Sequence, residues 1–461
     1  MPNTDNPENI AFLVELFSKN EEDGVKKLYE YKHLIFAKAR NRFPLIYNEY
    51  FEDSFQNSVI YIFNRAKSGK LEPSDINIGD FLFYIFKLNI FDILLKKEKN
   101  NELFNKPRIK FNLEKSIQKV SLLKSDTNKE EKGGKAVLFY GTNRNRTNSK
   151  RVNNYYGDMI SDLQYGYCEV TIPRGHIQGD IERPRNFLVF ELPENDSKHI
   201  VLSRIKELTE KQFLDTLNQS INNLPVKSAM IFIHGYNNTF AQAARRAAQI
   251  AWDIPFNGLS GFYSWPSSGK TVDYLGDVER ADATIPLLEQ FIEGIILKTG
   301  IEKLHLIAHS MGNRLMTVTI NNLSNKPALA ERLKIIHQIV LAAPDLDQDV
   351  FMNTILPRFS TLGHRRTLYS SDKDSALQLS EFLRGGRPRL GDAGDNLFVA
   401  NGVDTVDASN IKSSGNQHSY IFDTKELLAD LYYLLHNEFP PIDRRLQARI
   451  KNKLTYWLFP K

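Results

Sequence analysis

Two different rhythms of apolar and polar positions divide this chain. Over about the first hundred residues apolar side chains recur at spacings of three and four, as in Phe55, Val59 and Ile62, which is the period of an amphipathic helix. Residues 81–95 are apolar almost all round, as expected of a central helix in a small bundle. This pattern predicts an all-α domain over residues 1–123.

The rhythm changes after a polar segment. Residues 124–135 contain no large apolar side chain and predict a linker. Over residues 136–461 short apolar runs alternate with amphipathic stretches, which predicts an α/β domain with a mostly parallel sheet flanked by helices. Because the first strands precede most of the helices, we expect an antiparallel edge.

The predicted elements of this second domain can be given by their ranges. The predicted strands are 136–140, 167–172, 187–192, 229–234, 259–265, 304–309, 337–342, 366–370 and 397–400. The predicted helices are 210–221, 239–254, 277–298, 311–323 and 425–436.

The segment Ala308-His309-Ser310-Met311-Gly312 carries the strongest chemical signal. A serine between small residues, after a predicted strand and before a predicted helix, is typical of a nucleophile elbow. The helix N-terminus that follows offers partial positive charge to an oxyanion. The competing interpretation is a serine that only caps a helix, which is common.

A second loop fits the same chemistry. The apolar run 230–233 ends in His234-Gly235-Tyr236. In proteins with a nucleophile elbow, a loop after such a strand forms part of the oxyanion hole. We predict that the backbone N–H groups of Tyr236 and Met311 are the two hydrogen-bond donors of the oxyanion hole. Gly235 allows the backbone to approach a substrate closely, and we expect His234 to anchor the loop.

The partners of Ser310 should follow it as an acid and then a histidine. His418 lies in a polar loop just before the last predicted helix, where the base belongs. Asp374 follows the strand 366–370 and is the preferred acid, while Asp372 and Asp345 remain alternatives, each with a competing role in a turn or cap.

Composition excludes some classes of protein. The formal net charge is only +5, so charge gives no strong argument for a nucleic-acid partner. Cys168 is the one cysteine, which excludes an intrachain disulfide and fits a reducing compartment. The N-terminal residues do not resemble a signal peptide, and residues 81–95 are too short to cross a bilayer. We expect a soluble, cytoplasmic protein without a transmembrane segment.

The sequence also lacks the short motifs of common cofactor sites. It has no Cys-x-x-Cys, no His-Glu-x-x-His and no phosphate-binding glycine loop, and it therefore predicts neither a metal nor a cofactor. Arg384, Arg387 and Arg389 are candidates for contact with an anionic substrate group, or for ordinary solvation at the surface.

From about residue 136 to 440 the chain resembles a poorly characterised bacterial esterase/lipase-like family of the α/β-hydrolase superfamily. The resemblance rests on motifs in the same order, which include 139–144, 179–184, 232–238, 262–266, 308–312, 341–345, 374–377, 389–391 and 418–420. It implies the hydrolase fold and supports Ser310, His418 and Asp374 as a triad, without implying a particular substrate. Ala308 departs from the glycine of many members.

The N-terminal region resembles something else. Residues 51–60 are similar to the helix by which bacterial sigma factors bind RNA polymerase, and residues 81–97 to the promoter-reading helix that follows it. An ordinary helical bundle explains the same pattern. The resemblance implies a protein partner for residues 1–123, either RNA polymerase or a regulator, and leaves nucleic acid open.

Three functions follow from these patterns. The first is a serine hydrolase that cleaves a carboxylic ester, with a lipid among the candidate substrates, under the control of an N-terminal helical domain. The second is a transcription-associated regulator whose hydrolase domain senses a ligand. The third is a toxic or defence effector that a partner activates.

Overall fold

The structure is a computed structural model of the chain. The residues that it describes are 8, 10–42, 48–68, 71, 77–79, 81–83, 85–86, 133–184, 186–187, 190–191, 194–269, 274–374, 377, 380, 386–411 and 420–460. The chain divides into two compact units, Met1–Phe111 and Asn112–Lys461. The predicted linker at 124–135 lies mostly outside the described residues and stays a prediction.

The N-terminal unit is helical, as its apolar spacing predicts. Its helices are Ile10–Lys19, Glu21–Glu30, Lys32–Arg42 and Asn48–Lys67. These helices bury an apolar stripe that includes Leu13, Leu28, Phe55 and Ile62. Most of the second sigma-like segment, residues 87–97, lies outside the described residues.

The second unit is built on one large sheet. Its strands and those of a separate small hairpin, numbered along the chain, are β1 (Gly134–Arg146), β2 (Tyr156–Ile172), β3 (Asn186–Phe187), β4 (Phe190–Glu191), β5 (Val201–Leu208), β6 (Ser228–Ile233), β7 (Leu259–Ser264), β8 (Lys303–His309), β9 (Ile336–Ala342), β10 (Arg365–Ser370), β11 (Asp404–Asp407), β12 (Gln447–Lys451) and β13 (Leu454–Leu458).

The centre of the sheet is parallel and both edges are antiparallel. Across the described residues the strand order is β12-β13-β11-β10-β9-β8-β6-β7-β1-β2-β5. The pairs from β13 to β1 are parallel, whereas β1–β2, β2–β5 and β12–β13 are antiparallel. This confirms the α/β-hydrolase sheet and places β8, the strand before Ser310, near its middle.

Helices cover both faces of this sheet. The longer ones are Glu210–Asn222, Phe240–Asp253, Tyr274–Lys298, Gly312–Ser324 and Lys425–His436. Short helical segments occur at Gln348–Val350, Leu356–Phe359 and Tyr420–Asp423. Two apolar cores result, because alternate residues of each central strand point to opposite faces. No helix among the described residues is both long and apolar enough to span a membrane.

Some predicted elements are wrong or were missed. Residues 397–400 are not a strand, and the strand in this region is β11, four residues further on. The predicted strand 187–192 is the small hairpin β3–β4 over its described residues. The edge strands β5 and β12 were not predicted, because their partly exposed residues lack a continuous apolar run, and β13, which lies between β12 and β11, was also missed.

Candidate active site

Ser310 lies on the turn between β8 and the helix Gly312–Ser324. Its φ of 52° is in the left-handed region, which is uncommon for a residue other than glycine and costs about 1–3 kcal/mol. The turn is held by the Ser310 N–H, which donates to the Ala342 carbonyl at 2.9 Å, and by the Asp345 N–H, which donates to the Ser310 carbonyl at 3.2 Å. The serine therefore occupies the strained turn that its motif predicts.

The loop after β6 packs directly against this turn. A Cβ added at Gly312 lies 2.5 Å from the His234 carbonyl oxygen, and one added at Gly235 lies 2.8 Å from the Ser310 Cβ. Backbone atoms and a neighbouring Cβ cannot retreat from such contacts as a flexible side chain does. Both glycines are thus required by close packing between the two loops.

His234 holds its loop and does not point to the serine hydroxyl. Its Nδ1 lies 2.7 Å from the Gly235 carbonyl, which only accepts, so Nδ1 carries the proton and Nε2 accepts from Ser264 Oγ at 3.3 Å. The ring stacks on Trp265, whose Nε1 donates to the His234 carbonyl at 2.7 Å. Burial and the nearby Arg144 lower the pKa of His234 to about 3, so the ring is neutral at neutral pH.

Arg144 is a supporting residue that sequence reasoning missed. The side chain is 1% exposed, and it donates to Asn238 O at 2.6 Å, to Ser267 O at 3.0 Å and to Ser264 Oγ at 2.9 Å. One buried guanidinium thus ties the loop after β6 to the end of β7. Burial lowers its pKa to about 9. The signal in the sequence is that Arg144 ends the motif 139–144 of the hydrolase-like resemblance.

Asp277 performs a similar task from the helix Tyr274–Lys298. The carboxylate is fully buried and accepts from Ser267 Oγ at 2.5 Å and from the Ser268 N–H at 2.9 Å. It also accepts from the N–H of Asn237, a residue with a φ of 58°, at 3.4 Å. Burial raises the pKa of Asp277, although these hydrogen bonds oppose the rise.

The predicted oxyanion donors lie on the two packed loops. Met311 is 1% exposed and directly precedes the helix Gly312–Ser324. The Gly235 carbonyl oxygen lies 2.7 Å from His234 Nδ1 and accepts from the side-chain Nδ2 of Asn238 at 3.3 Å. Because the C=O and N–H of a trans peptide point in opposite directions, the Tyr236 N–H points away from the His234 ring.

The three candidate acids have different surroundings. Asp374 is 1% exposed, and its Oδ1 accepts from the Leu377 N–H at 3.1 Å. Asp372 is exposed in the turn after β10, and its N–H donates to Ser409 Oγ at 3.0 Å. Burial with a hydrogen-bonded oxygen suits a triad acid better than exposure does.

Asp345 accepts hydrogen bonds from three other side chains. Its Oδ1 accepts from Arg389 Nε at 2.8 Å and from Ser380 Oγ at 2.5 Å, while its Oδ2 accepts from Tyr274 OH at 2.6 Å. Arg389 is 1% exposed and therefore not solvated, in contrast to Arg387, whose side chain is 68% exposed. These contacts make Asp345 the centre of a buried network next to the elbow.

His418 and Arg384 lie outside the described residues. The chain that follows His418 can be traced from the helix Tyr420–Asp423, where the Phe422 ring packs edge-on against His309 with centroids 5.7 Å apart. The Phe422 carbonyl also accepts from Gln249 at 3.0 Å. His309 directly precedes Ser310 and is 8% exposed. The sequence places it in the elbow, but no role was predicted for it.

Comparisons with known proteins agree with this fold. Residues 209–434 match the sequence model of a family described as "Alpha/beta hydrolase of unknown function (DUF900)". Over 215 residues the chain is 26% identical to Uncharacterized protein alr1448 of Nostoc sp., which covers 41% of this chain and 52% of that protein. The chain spans about half the length of this curated relative.

Solved structures with some similarity are esterases. An esterase of Pyrobaculum calidifontis is 10% identical and covers 50% of this chain and 94% of its own, with a TM-score of 0.26. The inhibited esterase B of Lactobacillus rhamnosis is 14% identical, covers 47% and 79%, and also has a TM-score of 0.26. A fungal esterase of Rhizomucor miehei is 16% identical, covers 47% and 76%, and has the same TM-score.

Proposed function

We propose that this α/β hydrolase is a serine esterase in which Ser310, His418 and Asp374 form the catalytic triad. The observation that carries the proposal is the left-handed Ser310 at the end of β8, packed against the loop that begins at His234. A strained residue held by such close contacts is typical of a functional position, because unstrained alternatives are available to an ordinary helix cap.

The reaction follows from the roles of these groups. His418 takes the Ser310 proton as Oγ attacks the ester carbonyl carbon, and the N–H groups of Tyr236 and Met311 stabilise the oxyanion. The protonated imidazole then gives its proton to the leaving alcohol. Water hydrolyses the acyl-enzyme by the same steps, while Asp374 orients the imidazole.

Support for His418 as the base comes from the segment that follows it. Phe422 contacts His309, the residue before Ser310, so the chain beyond His418 runs past the elbow. Support for Asp374 comes from its burial at the end of β10, whereas Asp345 already accepts from Tyr274, Ser380 and Arg389.

A fluorophosphonate probe tests the nucleophile. We expect it to label Ser310 in the full chain and to leave the Ser310→Ala variant unlabelled, with p-nitrophenyl ester turnover reduced on the order of a million-fold. The control is Ser203→Ala, which removes a hydroxyl from the edge strand β5 and should change neither result. A wild-type protein that hydrolyses esters without labelling at Ser310 would contradict the proposal.

Two histidine variants test the base. His418→Gln should abolish turnover, and His309→Gln should affect it less, since His309 is packed edge-on against Phe422. The opposite ranking would make His309 the base. A chain-length series of esters then distinguishes a lipid substrate from a small one by the change in kcat/KM.

A partner-binding role for the N-terminal unit is the second candidate. Ile60 is 55% exposed and Tyr29 is 42% exposed, although both are large and apolar. They border an apolar groove of about 300 Å³ whose lining is completed by Val25, Gln56, Val59 and Phe63. Since residues 51–60 resemble the polymerase-binding helix of sigma factors, we propose bacterial RNA polymerase as the partner.

Purified RNA polymerase tests this second role. The full chain should bind the polymerase, and Ile60→Asp should weaken binding at least tenfold without loss of ester turnover. Glu30→Gln, at an exposed position of a neighbouring helix, serves as the control. Equal binding by Ile60→Asp and the wild type would remove the argument for this partner.

A further inference from the structure

A group of metal-ligand side chains lies at the other end of the sheet from Ser310. His337 is the second residue of β9, and His364 directly precedes the neighbouring parallel strand β10. Glu438 follows the helix Lys425–His436 by two residues. Both histidines stand where their strands begin, whereas Ser310 stands where β8 ends.

The distances within this group suit one small cation. One ligand atom from each of His337, His364 and Glu438 lies within 4.8 Å of the others. His337 Nδ1 and Glu438 Oε1 are 3.3 Å apart, close to the edge of about 3.4 Å that follows from bonds of about 2.1 Å in a tetrahedral zinc site. Two of the three donors therefore already have the spacing of zinc ligands.

His364 is the donor that has to move. Its ring lies parallel to that of His337, with centroids 4.8 Å apart and an angle of 4°. In-plane lone pairs of parallel rings do not converge on one point. His364 is exposed, so its ring can rotate toward the other two donors without disturbing packed residues.

His337 directs a buried ring nitrogen toward Glu438. Its Nδ1 is buried and has no hydrogen-bond partner among the described residues, an uncommon and costly condition for a ring nitrogen. Zinc takes an imidazole nitrogen in its deprotonated form, and binding displaces any proton that this nitrogen carries.

Glu438 is paired with the positively charged Lys303. The Lys303 ammonium forms an ion pair with Glu438 Oε1, and its side chain is 39% exposed. A cation thus already occupies the neighbourhood of the carboxylate, and the lysine can swing into solvent when a divalent ion replaces it. This exchange costs little, because a half-exposed ion pair is worth only about 0–1 kcal/mol.

We infer that His337, His364 and Glu438 bind one zinc ion, with a water molecule as the fourth ligand. Two imidazoles and a carboxylate are a donor set that zinc commonly takes when one position is left open. The site is independent of the proposed esterase reaction, because it lies where the strands begin and not where they end.

Zinc binding to the full chain, measured by isothermal titration calorimetry, tests the inference. One equivalent of Zn²⁺ should bind, and His364→Gln and Glu438→Gln should each weaken binding at least about 100-fold, since even the loss of an outer-shell partner costs roughly 10–100-fold. His33→Gln removes an exposed histidine from the N-terminal unit and should leave binding unchanged. Co²⁺ in place of Zn²⁺ should give the visible absorption of a four-coordinate ion.

A second variant addresses the competing ammonium. Lys303→Met removes the cation beside Glu438 and should tighten zinc binding. Absence of stoichiometric binding by the wild type, or equal binding by the wild type and both ligand variants, would overturn the inference. Binding that Lys303→Met fails to tighten would contradict the exchange of lysine for metal.

Discussion

The two ends of the central sheet treat their histidines in opposite ways. Where the strands end, His234 has both ring nitrogens engaged, by the Gly235 carbonyl and by Ser264 Oγ. Where the strands begin, His305 Nδ1 and His337 Nδ1 are buried without a hydrogen-bond partner among the described residues. Burial lowers the pKa of all three histidines, so a lowered pKa alone does not distinguish a structural histidine from a candidate ligand.

Left-handed backbone conformations occur at both ends of the sheet. Asn237, Ser310 and Ala343 all have positive φ, at 58°, 52° and 43°, and all follow the carboxyl ends of central strands. The Asn237 N–H donates to Asp277, and the backbone hydrogen bonds of Ser310 with Ala342 and Asp345 hold the elbow in place. At the histidine end Glu438 also has a positive φ, of 56°, so strain does not distinguish the two ends. The difference is that the histidine end has an exposed side chain, His364, whose ring can rotate.

The largest expected effect separates the two buried carboxylates near the elbow. Asp374→Asn should reduce turnover roughly 10⁴-fold with a small change in stability, because a triad histidine loses its orientation. Asp345→Asn should instead lower the free energy of unfolding by about 3–5 kcal/mol, since the buried Arg389 guanidinium then has no carboxylate partner among the described residues. Enzyme assays and urea denaturation of both variants measure the difference.

The two variants are distinguished by whether turnover or the free energy of unfolding changes more. A stable Asp345→Asn protein with strongly reduced turnover would make Asp345 the triad acid. Asp372→Asn is the control, because its carboxylate is exposed and should affect neither quantity appreciably.

The next effect is the dependence of stability on pH. Burial, with the nearby His337 and Lys303, lowers the pKa of His305 to about 3 from the usual 6.5. Between these values the unfolded chain binds a proton that the folded chain does not. The contribution of the neutral, buried His305 to stability is therefore fully present above about pH 6.5 and falls by about 1.4 kcal/mol per pH unit below it.

A variant isolates this histidine. His305→Leu removes the titrating group. Between pH 6 and 4 the free energy of unfolding of this variant should therefore fall less steeply than that of the wild type, by about 1.4 kcal/mol per pH unit, which is the contribution of one proton. His234, with a pKa of about 3, contributes with the same sign and remains in the variant. An identical slope for the variant and the wild type would show that His305 is protonated in the folded protein.

His176 should behave in the opposite sense. Burial lowers its pKa, but hydrogen bonds to Asp253 and Glu182 outweigh this and raise the pKa to about 9. Its contribution to stability is therefore present below about pH 6.5 and is lost as the pH rises through 9. Acid and alkaline limbs of the stability profile thus report on different histidines.

The smallest effect concerns packing at the elbow. Gly312→Ala places a Cβ 2.5 Å from the His234 carbonyl oxygen and 2.6 Å from that of Ile233. The shift needed to relieve these contacts should lower turnover about 100-fold and stability by about 1–3 kcal/mol. Gly294→Ala is the matched control, because nothing lies within 4 Å of its added Cβ and its helix should gain up to about 1 kcal/mol. Full activity in Gly312→Ala would show that the elbow tolerates displacement.

The sequence by itself determined the layered fold and the position of the elbow. The strand-turn-helix at Ser310 depends on residues within a few positions of each other, and the central strands are continuous apolar runs because both of their faces are covered by helices. The helices Glu210–Asn222 and Lys425–His436 follow closely from their apolar period. Edge strands such as β5 and β12 escaped prediction, since exposure on one side weakens the pattern.

Only the tertiary structure decided which polar residues support the site. Arg144, Asp277 and Arg389 lie far from Ser310 in sequence, and each becomes important because folding buries its charge against the loops that hold the elbow. The same holds for His337, His364 and Glu438, which three separate segments bring together. The local sequence pattern indicates which side chains will be buried. The partner of a buried charge depends instead on contacts between distant parts of the chain, which only the folded structure shows.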